Sequence, residues 1–148
     1  MKFLAIGAGY VGTPLMSVFS SHSSNDTFMV YDINKDLINK WNSDKLPYFE
    51  KGLKVLLDSQ RGKNLFFTSD PEEAFKDVDF IYICVNTPTK LYGEGAGEAH
   101  NLKYVESCIR DFANFCSKIS LEKMVTIIQK STVAVGTNDL ISKIFEAE

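Results

Sequence analysis

Ile6-Gly7-Ala8-Gly9-Tyr10-Val11-Gly12 decides how this chain folds. The stretch follows directly on a short apolar run, residues 2–6, read as a buried strand. It opens residues 10–21, where Val11, Leu15, Val18 and Phe19 recur at helical spacing. Pro14 falls early in that helix, where a missing N–H costs least. A G-x-G-x-x-G between a strand and a helix is the fingerprint of a dinucleotide turn. Gly7 permits the tight turn, and Gly9 lets backbone approach a pyrophosphate that any side chain would strike. Gly12 lets the helix pack close to the strand. The pyrophosphate then meets free N–H groups and the positive end of the helix. The same glycines would also serve a plain chain reversal. The strand–helix setting, the N-terminal position and an acid further on favour the ligand reading.

That acid is Asp32, at the end of a second strand over residues 27–31 and about 20 residues past the last glycine. A carboxylate accepts hydrogen bonds from ribose hydroxyls and repels the 2′-phosphate of NADP. NAD is therefore the expected cofactor.

Outward from this core, strand and helix alternate. Helices are expected over residues 34–42, with Asn34 as N-cap, and from 52 to 60. A third strand spans 64–68, then Ser69 or Asp70 caps a short helix with Pro71 in its first turn. Residues 79–85 are continuously apolar, as in a strand buried on both faces of a parallel sheet. A loop rich in Asn, Thr, Pro and Gly follows over 86–101. A helix over 102–117, a strand over 124–128 and a helix over 137–146 complete the chain. This order implies an α/β fold in one domain: a Rossmann-like, doubly wound, mostly parallel sheet. Ligands bind at the C-terminal ends of such strands. Here those ends are loops 7–12, 32–34, 85–90 and 129–133.

Val85-Asn86-Thr87-Pro88-Thr89 would lie over the dinucleotide, although Asn, Thr and Pro are also generic turn formers. Lys130-Ser131-Thr132 would lie near the nicotinamide end, and Ser131 and Thr132 fit a helix cap equally well. Cys84 sits in an apolar strand and Cys108 and Cys116 on a helix, all read as inert packing. His22 and His100 read as solvated loop residues, and Trp41, Tyr48 and Phe49 as packing. Three cysteines without C-x-x-C spacing give neither a disulfide framework nor a metal site.

The 148 residues fit one domain, and 45% hydrophobic content can build a core without staples. A net charge of −3 gives no basic face for nucleic acid. No apolar run approaches the length of a membrane span, and no leader precedes the first strand. A cytoplasmic protein with neither nucleic-acid nor membrane partners is expected.

Eight segments together carry a more specific pattern: IGAGYVG (6–12), YDIN (31–34), INKWNS (38–43), LPYFEKGL (46–53), RGKNLFFTSD (61–70), VNTPTKLYGEG (85–95), LKYVES (102–107) and KSTVAVGT (130–137). In these the chain resembles the N-terminal NAD-binding domain of the UDP-glucose 6-dehydrogenases, eukaryotic forms above all, within the UDP-glucose/GDP-mannose dehydrogenase family. The resemblance runs along essentially the whole chain. It implies oxidation of the C6 hydroxyl of UDP-glucose to a carboxylate, two NAD being reduced in turn, through a cysteine thiohemiacetal and a thioester. It places Gly7, Ala8, Gly9, Tyr10, Val11, Gly12, Asp32, Val85, Asn86, Thr87, Pro88, Thr89, Ser131 and Thr132 at or beside the cofactor. Thr132 matches a threonine that organises the catalytic water.

Three positions depart from the pattern. Leu37 stands where a basic residue often reaches the adenosine, Gln129 where a glutamate is common, and Asn101 where an aspartate is frequent. The family's nucleophilic cysteine, general-base lysine and UDP-sugar domain all follow the region matched here. The reading is thus a truncated NAD-binding domain that binds NAD without turnover and belongs to an enzyme that is homo-oligomeric at full length. Two other readings compete: a dehydrogenase of UDP-N-acetyl sugars or GDP-mannose, and a non-catalytic NAD-sensing module.

Overall fold

The computed structural model describes residues 1–93, 96–119 and 123–147. Five strands form one sheet: β1 (Lys2–Ile6), β2 (Thr27–Tyr31), β3 (Leu65–Thr68), β4 (Phe80–Ile83) and β5 (Thr126–Gln129). Their order is β3-β2-β1-β4-β5, and every pairing is parallel. The chain winds outward from β1 to β3, crosses back, and continues from β4 to β5. A topological switch point therefore lies between β1 and β4, where a doubly wound sheet opens a crevice.

Six helices make the crossovers: α1 (Gly12–His22), α2 (Lys35–Trp41), α3 (Leu53–Gln60), α4 (Pro71–Phe75), α5 (Lys103–Lys118) and α6 (Thr137–Ala147). The period-two alternation of the strands sends side chains to two layers. Leu4, Ile6, Met29, Ile81 and Ile83 pack on one face against Phe75 of α4, Ile109 and Phe112 of α5, and Ile144 of α6. Ala5, Phe28, Val30, Leu65 and Phe67 pack on the other against Met16 of α1, Trp41 of α2 and Leu57 of α3.

Local chemistry sets the helix ends. Asn34 caps α2, its side chain accepting from Leu37 N. Asp70 rather than Ser69 caps α4, accepting from Glu72 N just before Pro71. α1 starts at Gly12, two residues later than its apolar spacing predicts, because residues 7–11 make the turn. β4 has Ile81 and Ile83 fully buried but Phe80 and Tyr82 only half-buried. The expected burial on both faces is thus unequal. β5 starts at Thr126 rather than 124, since Met124 is exposed and the ladder begins where Thr126 N donates to Asp79 O. Phe49, expected to pack, is 91% exposed. Residues 94–95 of the 86–101 loop lie outside the described residues. Elsewhere in that loop, Thr89 and His100 form an isolated antiparallel bridge. Among the described residues no helix is long and apolar enough to cross a membrane, and no group of three His, Cys, Asp or Glu could hold a metal ion.

Candidate functional site

The glycine turn is built by exclusion. Gly7 has φ +109°, and a Cβ on it would sit 2.7 Å from the Cys84 carbonyl oxygen of β4's trailing end. Its N–H donates to Tyr31 O at 2.8 Å, tying β1 to β2. A Cβ on Gly12 would collide with the Gly7 carbonyl and press on Ala5 and Cys84. Gly9 differs: nothing lies within 4 Å of where its Cβ would be. The protein itself does not need a glycine there. That backbone is left open to close approach from the cavity.

Asp32 is fixed by two backbone donors. Its Oδ2 accepts from Ala8 N and its Oδ1 from Asn34 N, both at 2.9 Å. Each oxygen keeps a lone pair for a further donor. Trp41 Nε1 donates to Ala8 O at 2.9 Å, and the Tyr48 hydroxyl donates to Gly9 O at 3.2 Å. Burial pushes the Tyr48 phenol above its usual range, so it keeps the proton that it donates. Two residues read as packing are thus the anchors of the glycine turn. Tyr10, 76% exposed, lies against Tyr48 with ring centroids 4.2 Å apart. The first turn of α1 carries no acidic residue, and its N-cap, Val11, makes no side-chain cap. The positive end of the helix and its N–H groups are left for an anion.

The loops after β4 and β5 are laced together. Ser131 Oγ donates to Val85 O at 2.6 Å, and Thr87 Oγ1 donates to Thr132 O at 2.8 Å. On the other side His100 Nδ1 lies 3.2 Å from Thr87 O, and Asn101 N donates to Pro88 O at 2.7 Å. His100 is therefore half-buried and engaged rather than solvated. Ser131 and Thr132 cap no helix, because α6 begins only at Thr137. Thr132 itself is exposed.

A cavity of about 630 Å³ opens at the switch point, inside the roughly 300–1,000 Å³ usual for small-molecule sites. Of the residues singled out from sequence, Gly7, Gly9, Asp32, Val85, Asn86, Thr87 and Pro88 line it. Ala8, Tyr10, Val11, Gly12, Thr89, Ser131 and Thr132 lie outside its lining. Of its other walls, Ile33 belongs to the expected 32–34 loop and Leu37 to the position compared with an adenosine-reaching basic residue, whereas the α5 wall was not foreseen. Ile33 and Leu37 supply an apolar flank beyond Asp32, and Tyr104, Ser107, Cys108 and Asp111 of α5 close the far side. Those four stand at i, i+3, i+4 and i+7, a stripe beside the buried Val105, Ile109 and Phe112. That spacing was the available signal. Cys84 and Cys108 reach the cavity, but burial pushes both thiols up to about 12. They stay neutral at physiological pH and are no nucleophiles.

An apolar-walled crevice, a bare helix N-terminus, an open Gly9 and a fixed carboxylate together fit a dinucleotide. Comparison with known proteins agrees. The model of the UDP-glucose/GDP-mannose dehydrogenase family, NAD binding domain, matches residues 1–148. UDP-glucose 6-dehydrogenases of Bos taurus and Pongo abelii are 46% and 45% identical over 99% of this chain. The chain spans 28% of the length of each. A GDP-mannose dehydrogenase from Pseudomonas aeruginosa superposes with TM-score 0.85 at 29% identity, covering 99% of this chain and 32% of that one. A UDP-glucose dehydrogenase from Pyrobaculum islandicum gives 0.82 at 25% identity, with the same coverage of each chain. The chain belongs to the UDP-glucose/GDP-mannose dehydrogenase family and is its NAD-binding domain.

Proposed function

We propose that this chain is the cofactor half of a cytoplasmic UDP-glucose 6-dehydrogenase, homo-oligomeric at full length, whose substrate and catalytic-cysteine domains lie outside residues 1–148. One observation carries the cofactor reading: Gly9 faces open space above the cavity, on a turn whose other glycines are dictated by contacts within the chain. NAD bound there would supply a two-electron acceptor, and two NAD taken in turn would account for the four electrons released when an alcohol becomes a carboxylate. The chain's own residues bind and orient. N–H groups from the turn and the first turn of α1 receive the pyrophosphate. Asp32 accepts from the adenosine ribose, held in aim by Ala8 N and Asn34 N. Ile33 and Leu37 cover the adenine, while Val85, Asn86, Thr87, Pro88 and Thr89 run alongside toward the nicotinamide. Ser131 positions that segment through Val85 O. Thr132, reached by Thr87, stands where a water-organising hydroxyl would serve the completed enzyme.

UDP-glucose is favoured over GDP-mannose or an N-acetyl sugar by the relatives. The animal relatives named UDP-glucose 6-dehydrogenase reach 46% identity, against 29% for the GDP-mannose enzyme and 25% for the archaeal UDP-glucose dehydrogenase. The test is calorimetric titration of the chain with NAD and UDP-glucose, followed by an assay for NADH. Saturable NAD binding without UDP-glucose binding or turnover is expected. Steady NADH production from UDP-glucose would contradict the division of labour, and no NAD binding at millimolar concentration would contradict the cofactor reading.

A further inference from the structure

The lining of the cavity is unusual in its charge. Asp32 enters from the end of β2 and Asp111 from α5, and none of the described residues lining the cavity is Lys, Arg or His. Leu37 occupies the flank beyond Asp32, so that wall is hydrocarbon. Asp111 is exposed on its helix and has no part in the buried core. Tyr31, also part of the lining, feels both carboxylates. Its phenol is held above the usual range by burial first, then by Asp111, and then by Asp32.

We infer that Asp111 is a second determinant of cofactor choice, acting with Asp32 to make this cleft reject a dinucleotide bearing a 2′-phosphate. The inference rests on the reading that the cleft holds NAD. Asp32 acts at contact range, by occupying the place of the extra phosphate. Asp111 acts through its charge across a crevice with apolar walls, where a like charge is felt more strongly than in bulk water. A cleft that accepts NADP places a cation against the phosphate. Here two anions face it with no counter-charge in the lining.

The test is calorimetric titration of the chain, as wild type, Asp111→Asn, Asp111→Lys and Asp111→Glu, with NAD and with NADP. The quantity read is the ratio of the two affinities. In low salt, Asp111→Asn is expected to shift the ratio toward NADP by about fivefold and Asp111→Lys by roughly 30-fold. Asp111→Glu should restore the wild-type ratio. Raising NaCl from about 20 mM to about 500 mM should narrow the wild-type preference for NAD, and narrow it less in Asp111→Asn, because only a charge effect is screened. Equal ratios in wild type, Asp111→Asn and Asp111→Lys would overturn the inference while leaving the NAD site standing. A wild-type chain that binds neither dinucleotide would overturn the NAD reading and this inference together.

Discussion

The two ends of the sheet are made differently. At the end where the strands begin, charge ties the chain shut. The N-terminal ammonium pairs with Asp26 at 2.7 Å. Asp79 accepts from Lys2 N and from Lys123 Nζ, each at 2.7 Å, so one carboxylate holds the starts of β1 and β4 and the approach to β5. Lys2 Nζ in turn donates to the Glu73 and Lys76 carbonyls at the end of α4. At the end where the strands finish there is no such lacing by charge across the switch point among the described residues. Gly7 and Gly12 bring backbones together, Asp32 is held by amides rather than cations, and the crevice between β1 and β4 stays open. A parallel sheet thus separates duties along its strands: one end is closed for stability, and the other is kept open for a ligand.

Substitutions at the two ends should therefore move different observables. Gly12→Val is expected to act most strongly. Its side chain must displace the Gly7 carbonyl and the β1–α1 contact, costing at least about 3 kcal/mol in urea unfolding and taking NAD binding with it. Gly9→Val sharpens the contrast within the same turn. Its Cβ meets nothing in the protein, so the unfolding free energy should change by no more than about 1 kcal/mol, well short of Gly12→Val. NAD affinity in calorimetry should nonetheless fall about 100-fold, or about 2.7 kcal/mol.

Trp41→Phe removes the donor to Ala8 O and leaves a buried carbonyl unpaired. A loss of about 2 kcal/mol in stability is expected, with several-fold weaker NAD binding as the turn loosens. Asp79→Asn should cost about 1 kcal/mol, its ion pair being partly exposed, and should leave NAD affinity unchanged. The Lys123 ammonium and the Lys2 amide hold the Asp79 carboxyl below its usual value. Its contribution is therefore complete above the unfolded pKa of about 3.9 and disappears as pH falls through the lower folded value. The stability gap between wild type and Asp79→Asn should accordingly begin to close only as pH falls below about 4, read by urea midpoints through the acid range.

Much of this architecture was legible in the residues. Three strands, β1, β2 and β3, both begin and end within a residue of their expected runs, because buried parallel strands leave that unbroken signature. Gly7, Gly12, Asn34 and Asp70 were legible because each answers a local backbone demand that sequence spacing exposes. The missed residues answer distant demands. Trp41 and Tyr48 look like core aromatics, and only the fold brings their polar tips to Ala8 O and Gly9 O. The α5 wall hid inside an amphipathic pattern, since a stripe bordering a buried face has the same spacing whether it meets solvent or a ligand. Ser131 fitted a cap or a site, and instead braces Val85.

The most direct test of the account is an amide NMR titration of the chain with NAD. Shifts confined to the ends of the strands, at Gly9, Val11, Gly12, Ile33 and the 85–89 loop, with Lys2, Asp26, Asp79 and Lys123 unmoved, is the predicted result. Saturable shifts centred on the ion-paired end, or binding that leaves the glycine turn unmoved, would contradict it.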